Sequence, residues 1–244
     1  MVETSPFVVL ASGFGNYKRK YPAYDEKLGK DGYAYTTYYK RFTVQEHLDE
    51  IHSIIPKDKE YLMIGYSLGV SLIVEYLNKN PVENCKGITL IGGTRIQGSH
   101  WFLNFIFKTP VPIILFFSII MALCFPIVLI VNGFNFKKTI PASFEGLVRL
   151  IENGPWDMKK AYNTCLRQVG REIDGVLEQN KDIPVLIIRL VKDMMVNEED
   201  LEYTKSFFNK VKERILPSDI IHLTHKDDKL FLEIVEEEKE FFEY

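Results

Sequence analysis

The chain has 244 residues, 46% hydrophobic and 26% charged, with a formal net charge of −3. That suits one α/β domain with an insertion and a sizeable core. No basic cluster is interleaved with aromatics, which excludes a nucleic-acid surface of the usual kind.

Phe7 to Ala11 is a continuous apolar run, as expected of a parallel strand covered on both faces. The run already looks like a strand and no basic n-region precedes it, so no secretory leader is expected. Cys85, Cys124 and Cys165 lack metal-ligand spacing and form no disulfide framework, which makes a reducing, cytoplasmic setting the expectation. The glycine-rich loop Ser12-Gly13-Phe14-Gly15-Asn16 follows. It lacks the rest of a G-x-G-x-x-G fingerprint, leaving a tight turn or an anion-binding loop beside a catalytic group. Tyr33 to Tyr39, rich in aromatics and Thr, reads as the next strand. Thr43-Val44-Gln45-Glu46 is a capping box, and Val44, Leu48, Ile51 and Ile55 continue at helical spacing until Pro56. His47 and His52 on this helix read as surface or boundary residues.

Tyr61 to Ile64 is a short apolar run that enters Gly65-Tyr66-Ser67-Leu68-Gly69, and a second apolar run continues to Leu77. A G-x-S-x-G pattern recurs by chance, but strand before and helix after give it a mechanism. A serine on so tight a strand-to-helix turn is strained and pushed out over the sheet edge. Side chains at positions 65 and 69 would collide with neighbouring backbone. The turn also sets the hydroxyl at a helix N-terminus, which favours developing negative charge. The competing reading is a glycine-rich turn with a solvated serine.

Lys86 to Gly93 supplies another strand, and the alternation implies a parallel sheet with helices on its faces. From Thr94 to about Lys181 that rhythm gives way to helices. Residues 109–136 contain no charged residue, while Ser143 to Glu152 and Trp156 to Val169 are amphipathic. Ile183 to Ile188 is again a strand, ending just before Asp193. A helix is expected from Asn197 to about Lys212, a last strand at Asp219 to Leu223, and a final acid-rich helix from Asp228 to about Phe242.

A serine hydroxyl needs a base, and the base needs an orienting partner. Sites of open parallel sheets gather at the carboxyl ends of the strands. Ser67, Asp193 and His225 each follow a predicted strand at that end, in an order known for this architecture. The other acid position, after Ile91, offers only Gly92, Gly93, Thr94 and Arg95. His222 falls inside the expected strand and His225 in the loop after it, while His100 reads as a polar residue at a lid boundary.

In these features the chain resembles the α/β-hydrolases over essentially its full length. The resemblance implies an α/β fold, with a mostly parallel sheet flanked by helices, built from residues 1–93 and 182–244. It implies a helical cap or lid at 94–181. Ser67 would be the nucleophile, Asp193 the acid and His225 the base. The backbone N–H groups of Phe14 and Leu68 would form the oxyanion hole. Such an enzyme needs no cofactor or metal. Three departures are visible: Ser12 stands where His is common, Leu190 where a glycine often precedes the acid, and Thr224 precedes His225.

Val111 to Val131 is long enough to cross a bilayer. One crossing would divide the sheet and separate Ser67 from Asp193 and His225, and Pro126 leaves neither half long enough for two. Three readings stay open: a lid lining an apolar pocket, a lid that also dips into a membrane surface, or an oligomer interface. The expected activity is hydrolysis of a carboxylic ester or thioester with an apolar acyl or alkyl group. The alternatives are a non-catalytic protein of this fold that binds a lipid or partner, or a C–C hydrolase or aminopeptidase.

Overall fold

The computed structural model describes residues 6–14, 21–29, 31–37, 41–95, 108–113, 154–191, 196–216 and 228–243. Six strands form one sheet: β1 Phe7–Ala11, β2 Tyr33–Tyr35, β3 Tyr61–Tyr66, β4 Cys85–Ile91, β5 Val185–Leu190 and β6 Val211–Leu216. Their order is β2-β1-β3-β4-β5-β6, and every pairing is parallel. Parallel strands need crossovers, and α1 Pro22–Leu28, α2 Val44–Ile54 and α3 Leu68–Lys79 supply those between the first four strands.

The apolar runs of β1, β3, β4 and β5 are continuous because these inner strands are buried on both faces. Val9, Met63, Leu90 and Ile187 face a layer holding α2, α3 and the stretch 161–183. Val8, Leu10, Leu62, Ile64 and Ile188 face the opposite layer, with Tyr24 of α1 and Phe231, Ile234 and Val235 of the last helix, α6 Asp228–Phe242. The end of α6 lies over Gly87 of β4, where a Cβ would fall 2.0 Å from the Phe242 ring.

α2 begins with the expected reciprocal cap between Thr43 and Glu46. His47, however, is fully buried rather than at the surface. It stands three residues after Val44 and four before Ile51, on the apolar stripe itself. Burial, reinforced by the Arg41 charge, holds its imidazole down at about 4. His52 is exposed, with Nδ1 2.8 Å from the Tyr76 hydroxyl.

The amphipathic stretch after Gly154 opens as α4 Pro155–Ala161 and continues as a π-turn at Tyr162–Leu166. The expected helix at 143–152 and nearly all of Val111 to Val131 lie outside the described residues. Among the described residues no helix is long and apolar enough to cross a membrane.

Two elements differ from expectation. α1 was not evident from the sequence. The helix expected to reach Lys212 is instead α5 Glu198–Lys205, followed by β6. Beyond α5 the adjacent Phe207 and Phe208 both enter the core before the chain turns into β6. In β6, Glu213 meets Arg189 and Lys205 on one face, while Arg214 on the other meets Glu237 of α6 at 2.9 Å. The strand expected at 219–223 lies outside the described residues.

Candidate functional site

The turn from β3 into α3 carries Ser67 with φ 53° and ψ −115°, a left-handed conformation that costs a non-glycine residue about 1–3 kcal/mol. Neighbouring backbone holds it there. The Ser67 N–H donates to Ile91 O of β4 at 2.9 Å, and Ser67 O accepts from the Val70 N–H at 3.0 Å. A Cβ at Gly69 would lie 1.9 Å from Ala11 O, and one at Gly65 would lie 2.8 Å from Val70 Cα. Both clashes are with backbone, so α3 can lie this close to β1 and β3 only with glycine at these positions.

The glycine-rich loop after β1 passes beside this serine. A Cβ on Gly13 would meet the Tyr66 ring at 3.0 Å and Ser67 Cβ at 3.3 Å. Phe14 packs half-buried against the core cluster that includes α3. Leu68 is the first residue of α3, where an N–H has no acceptor within its own helix. Ser67, Leu68 and the segment Ser12–Phe14 therefore meet at the carboxyl edge of the sheet.

Ser12 earns its place through long-range bonds that nothing in the local pattern announces. Fully buried, it donates from Oγ to Thr36 O at 2.7 Å and accepts from the Tyr21 hydroxyl at 3.0 Å. Its N–H donates to Thr36 Oγ1 at 3.0 Å. The loop is thus tied to the end of β2 and the start of α1 by one small side chain and its own N–H.

Beyond β4, Ser71 of α3 donates to Thr94 O at 2.7 Å. The Arg95 N–H donates to Thr204 Oγ1 of α5, and its Nη1 donates to Gly170 O and Ile173 O at 3.1 and 3.2 Å. Its guanidinium also lies 4.3 Å from the Tyr203 ring centre. Glu75 of α3 accepts from the Gly170 N–H at 2.9 Å. Arg95 therefore joins the start of the 94–181 insertion to its return and to α5.

Asp193 and His225 fall in 192–195 and 217–227, outside the described residues. The strands before those segments are described. Ile91 pairs with Ile188, and Leu190 with Leu216, so β5 and β6 run out at the same edge of the sheet as β3. Because β6 is Val211–Leu216, both His222 and His225 belong to the segment between β6 and α6.

Burial pushes the Cys85 and Cys165 thiols up to about 12, which makes them unsuited to act as nucleophiles. Among the described residues no group of His, Cys, Asp or Glu could hold a metal ion.

No protein-family model and no curated protein matches the sequence. Solved structures do match the fold. A lipase-esterase related protein from Clostridium acetobutylicum is 17% identical, with a TM-score of 0.63, covering 96% of this chain and 94% of its own. A hydrolase from Oleispira antarctica is 14% identical, with a TM-score of 0.64, covering 96% and 90%. A type II thioesterase of the yersiniabactin biosynthetic pathway is 10% identical, with a TM-score of 0.63, covering 99% and 94%.

Proposed function

We propose that this chain, which has the α/β-hydrolase fold, is a serine hydrolase of carboxylic esters or thioesters. The observation that carries the reading is the strained Ser67 turn, held against the Ser12–Phe14 loop. On this reading His225 takes the Ser67 proton as the hydroxyl attacks the carbonyl carbon. Asp193 orients the imidazole and stabilises its cation. The Phe14 and Leu68 N–H groups receive the oxyanion, and water then releases the acyl group from Ser67. Esterase and thioesterase relatives of the fold support the bond class, and the uncharged stretch 109–136 supports an apolar acyl or alkyl group. The unbridged Cys85 and Cys165 fit a reducing compartment.

A non-catalytic binding protein on this fold would have no use for a serine in so costly a backbone conformation, so the strain favours catalysis. The test is labelling with a fluorophosphonate probe of wild type, Ser67→Ala, His225→Ala and His222→Ala. Labelling should vanish with Ser67→Ala and His225→Ala and persist with His222→Ala. Loss with His222→Ala and persistence with His225→Ala would move the base to His222. A folded wild type that does not label would overturn the serine hydrolase reading.

A further inference from the structure

Charge is divided unevenly along this chain. Residues 94–181 hold ten Lys or Arg and six Asp or Glu, a net +4, so at an overall −3 the remainder carries −7. The basic span is the one that contains the uncharged stretch 109–136.

Its described parts, 108–113 and 154–181, touch where Lys159 Nζ donates to Thr109 O at 2.9 Å. The inward side of α4 and the π-turn is committed to the core through Ala161, Tyr162, Cys165 and Leu166. The outward side carries exposed apolar and basic residues interspersed with acids. Trp156, 63% exposed, is the most exposed large hydrophobic among the described residues, and Ile113 is 43% exposed. Lys108, Lys160, Arg167 and Arg171 are exposed too. Across the described 154–181 five cations stand with four acids, Asp157, Glu172, Asp174 and Glu178, and Lys108 adds a sixth cation.

We propose that this face, from Ile113 across α4 to Arg171, docks on an anionic lipid surface. A tryptophan sits favourably at headgroup depth, with its ring in the acyl boundary and its N–H in the wet layer. Arg and Lys beside it are attracted to anionic headgroups, each by about 1 kcal/mol. The remainder of the chain carries −7, a charge that the same field repels. An acidic protein would match the charge, but continuity with a long uncharged stretch favours lipid. The docking does not depend on the catalytic reading.

The test is co-sedimentation of the full chain with phosphatidylcholine vesicles, with and without phosphatidylserine. Binding should require phosphatidylserine and weaken with added salt. Arg167→Glu combined with Arg171→Glu should weaken it about tenfold or more, while Arg167→Lys with Arg171→Lys should bind like wild type. The chain has two tryptophans, so in Trp101→Phe protein the emission reports Trp156 alone and should shift to the blue on binding. Equal binding to pure phosphatidylcholine, no binding to either vesicle, or unchanged binding by the Glu pair would overturn the proposal. So would loss of binding in the Lys pair.

Discussion

The strained serine can be held only because its neighbours are small and its loop is tied down. Ser12 shows the second requirement most plainly. Replacing it with Ala removes the hydroxyl between Thr36 O and Tyr21, two groups that are 1% and 2% exposed at residue level. An unmet buried polar group costs about 1–3 kcal/mol. The loop carrying the Phe14 N–H should then loosen beside Ser67. Losing an oxyanion donor outright costs about 10²–10³ in kcat, and a displaced one should cost roughly tenfold. We expect Ser12→Ala to lower kcat on a water-soluble ester by that amount with KM little changed. Equal kcat in a folded variant would show that Ser12 does not position the loop.

α6 packs through an apolar stripe of Phe231, Ile234 and Val235, and the next position on that stripe is Glu238, fully buried. The Tyr24 hydroxyl of α1 donates to its carboxyl at 3.2 Å, and Thr89 of β4 is the other polar group beside it. Burial, only partly offset by those two groups, pushes the carboxyl up to about 8 from an ordinary 4.5. The folded state therefore keeps a proton that the unfolded chain releases above about pH 4.5. Stability should fall as pH rises through that window and level off above about pH 8, by roughly 1.4 kcal/mol per pH unit at most. Glu238→Gln keeps the shape and removes the titration. Its urea stability between pH 5 and 8 should decline less than that of wild type. Parallel declines would mean the carboxyl is already ionised in the fold. The exposed Lys27–Glu236 pair beside it, at 2.7 Å, should add little.

At the level of the assembled chain, Arg95 stands at a crossing. It bonds Gly170 O and Ile173 O, lies against Tyr203, and donates its N–H to α5. Arg95→Met keeps much of the stem but leaves two carbonyls without their charged donor. That should lower the free energy of unfolding by about 2–4 kcal/mol, measured in urea. A loss under about 0.5 kcal/mol would mean that the crossing is held by backbone packing alone.

Much of this was legible along the chain, because the causes are local. A four-residue apolar run before Gly65 and a longer one after Gly69 specify strand, turn and helix, and the glycines meet the collisions they were expected to avoid. The Thr43–Glu46 cap and the end of α6 at Phe242 were equally readable. Ser67 follows from that pattern and Leu68 and Phe14 from the resemblance, and the turn and the loop that carry them are found together. Asp193 and His225 still rest on chain order and resemblance. What the linear pattern could not carry are contacts between distant partners. Ser12 meets Thr36 across 24 positions, Arg95 meets Gly170 across 75, and Tyr24 meets Glu238 across 214. The helix expected to reach about Lys212 stops at Lys205, and the strand β6 that follows has its charges met by Arg189, Lys205 and Glu237 on its two faces. His47 and Glu238 are polar letters on apolar stripes, and only the packed neighbours decide that they are buried. Periodicity records which way a residue points, and the tertiary fold alone supplies what it points at.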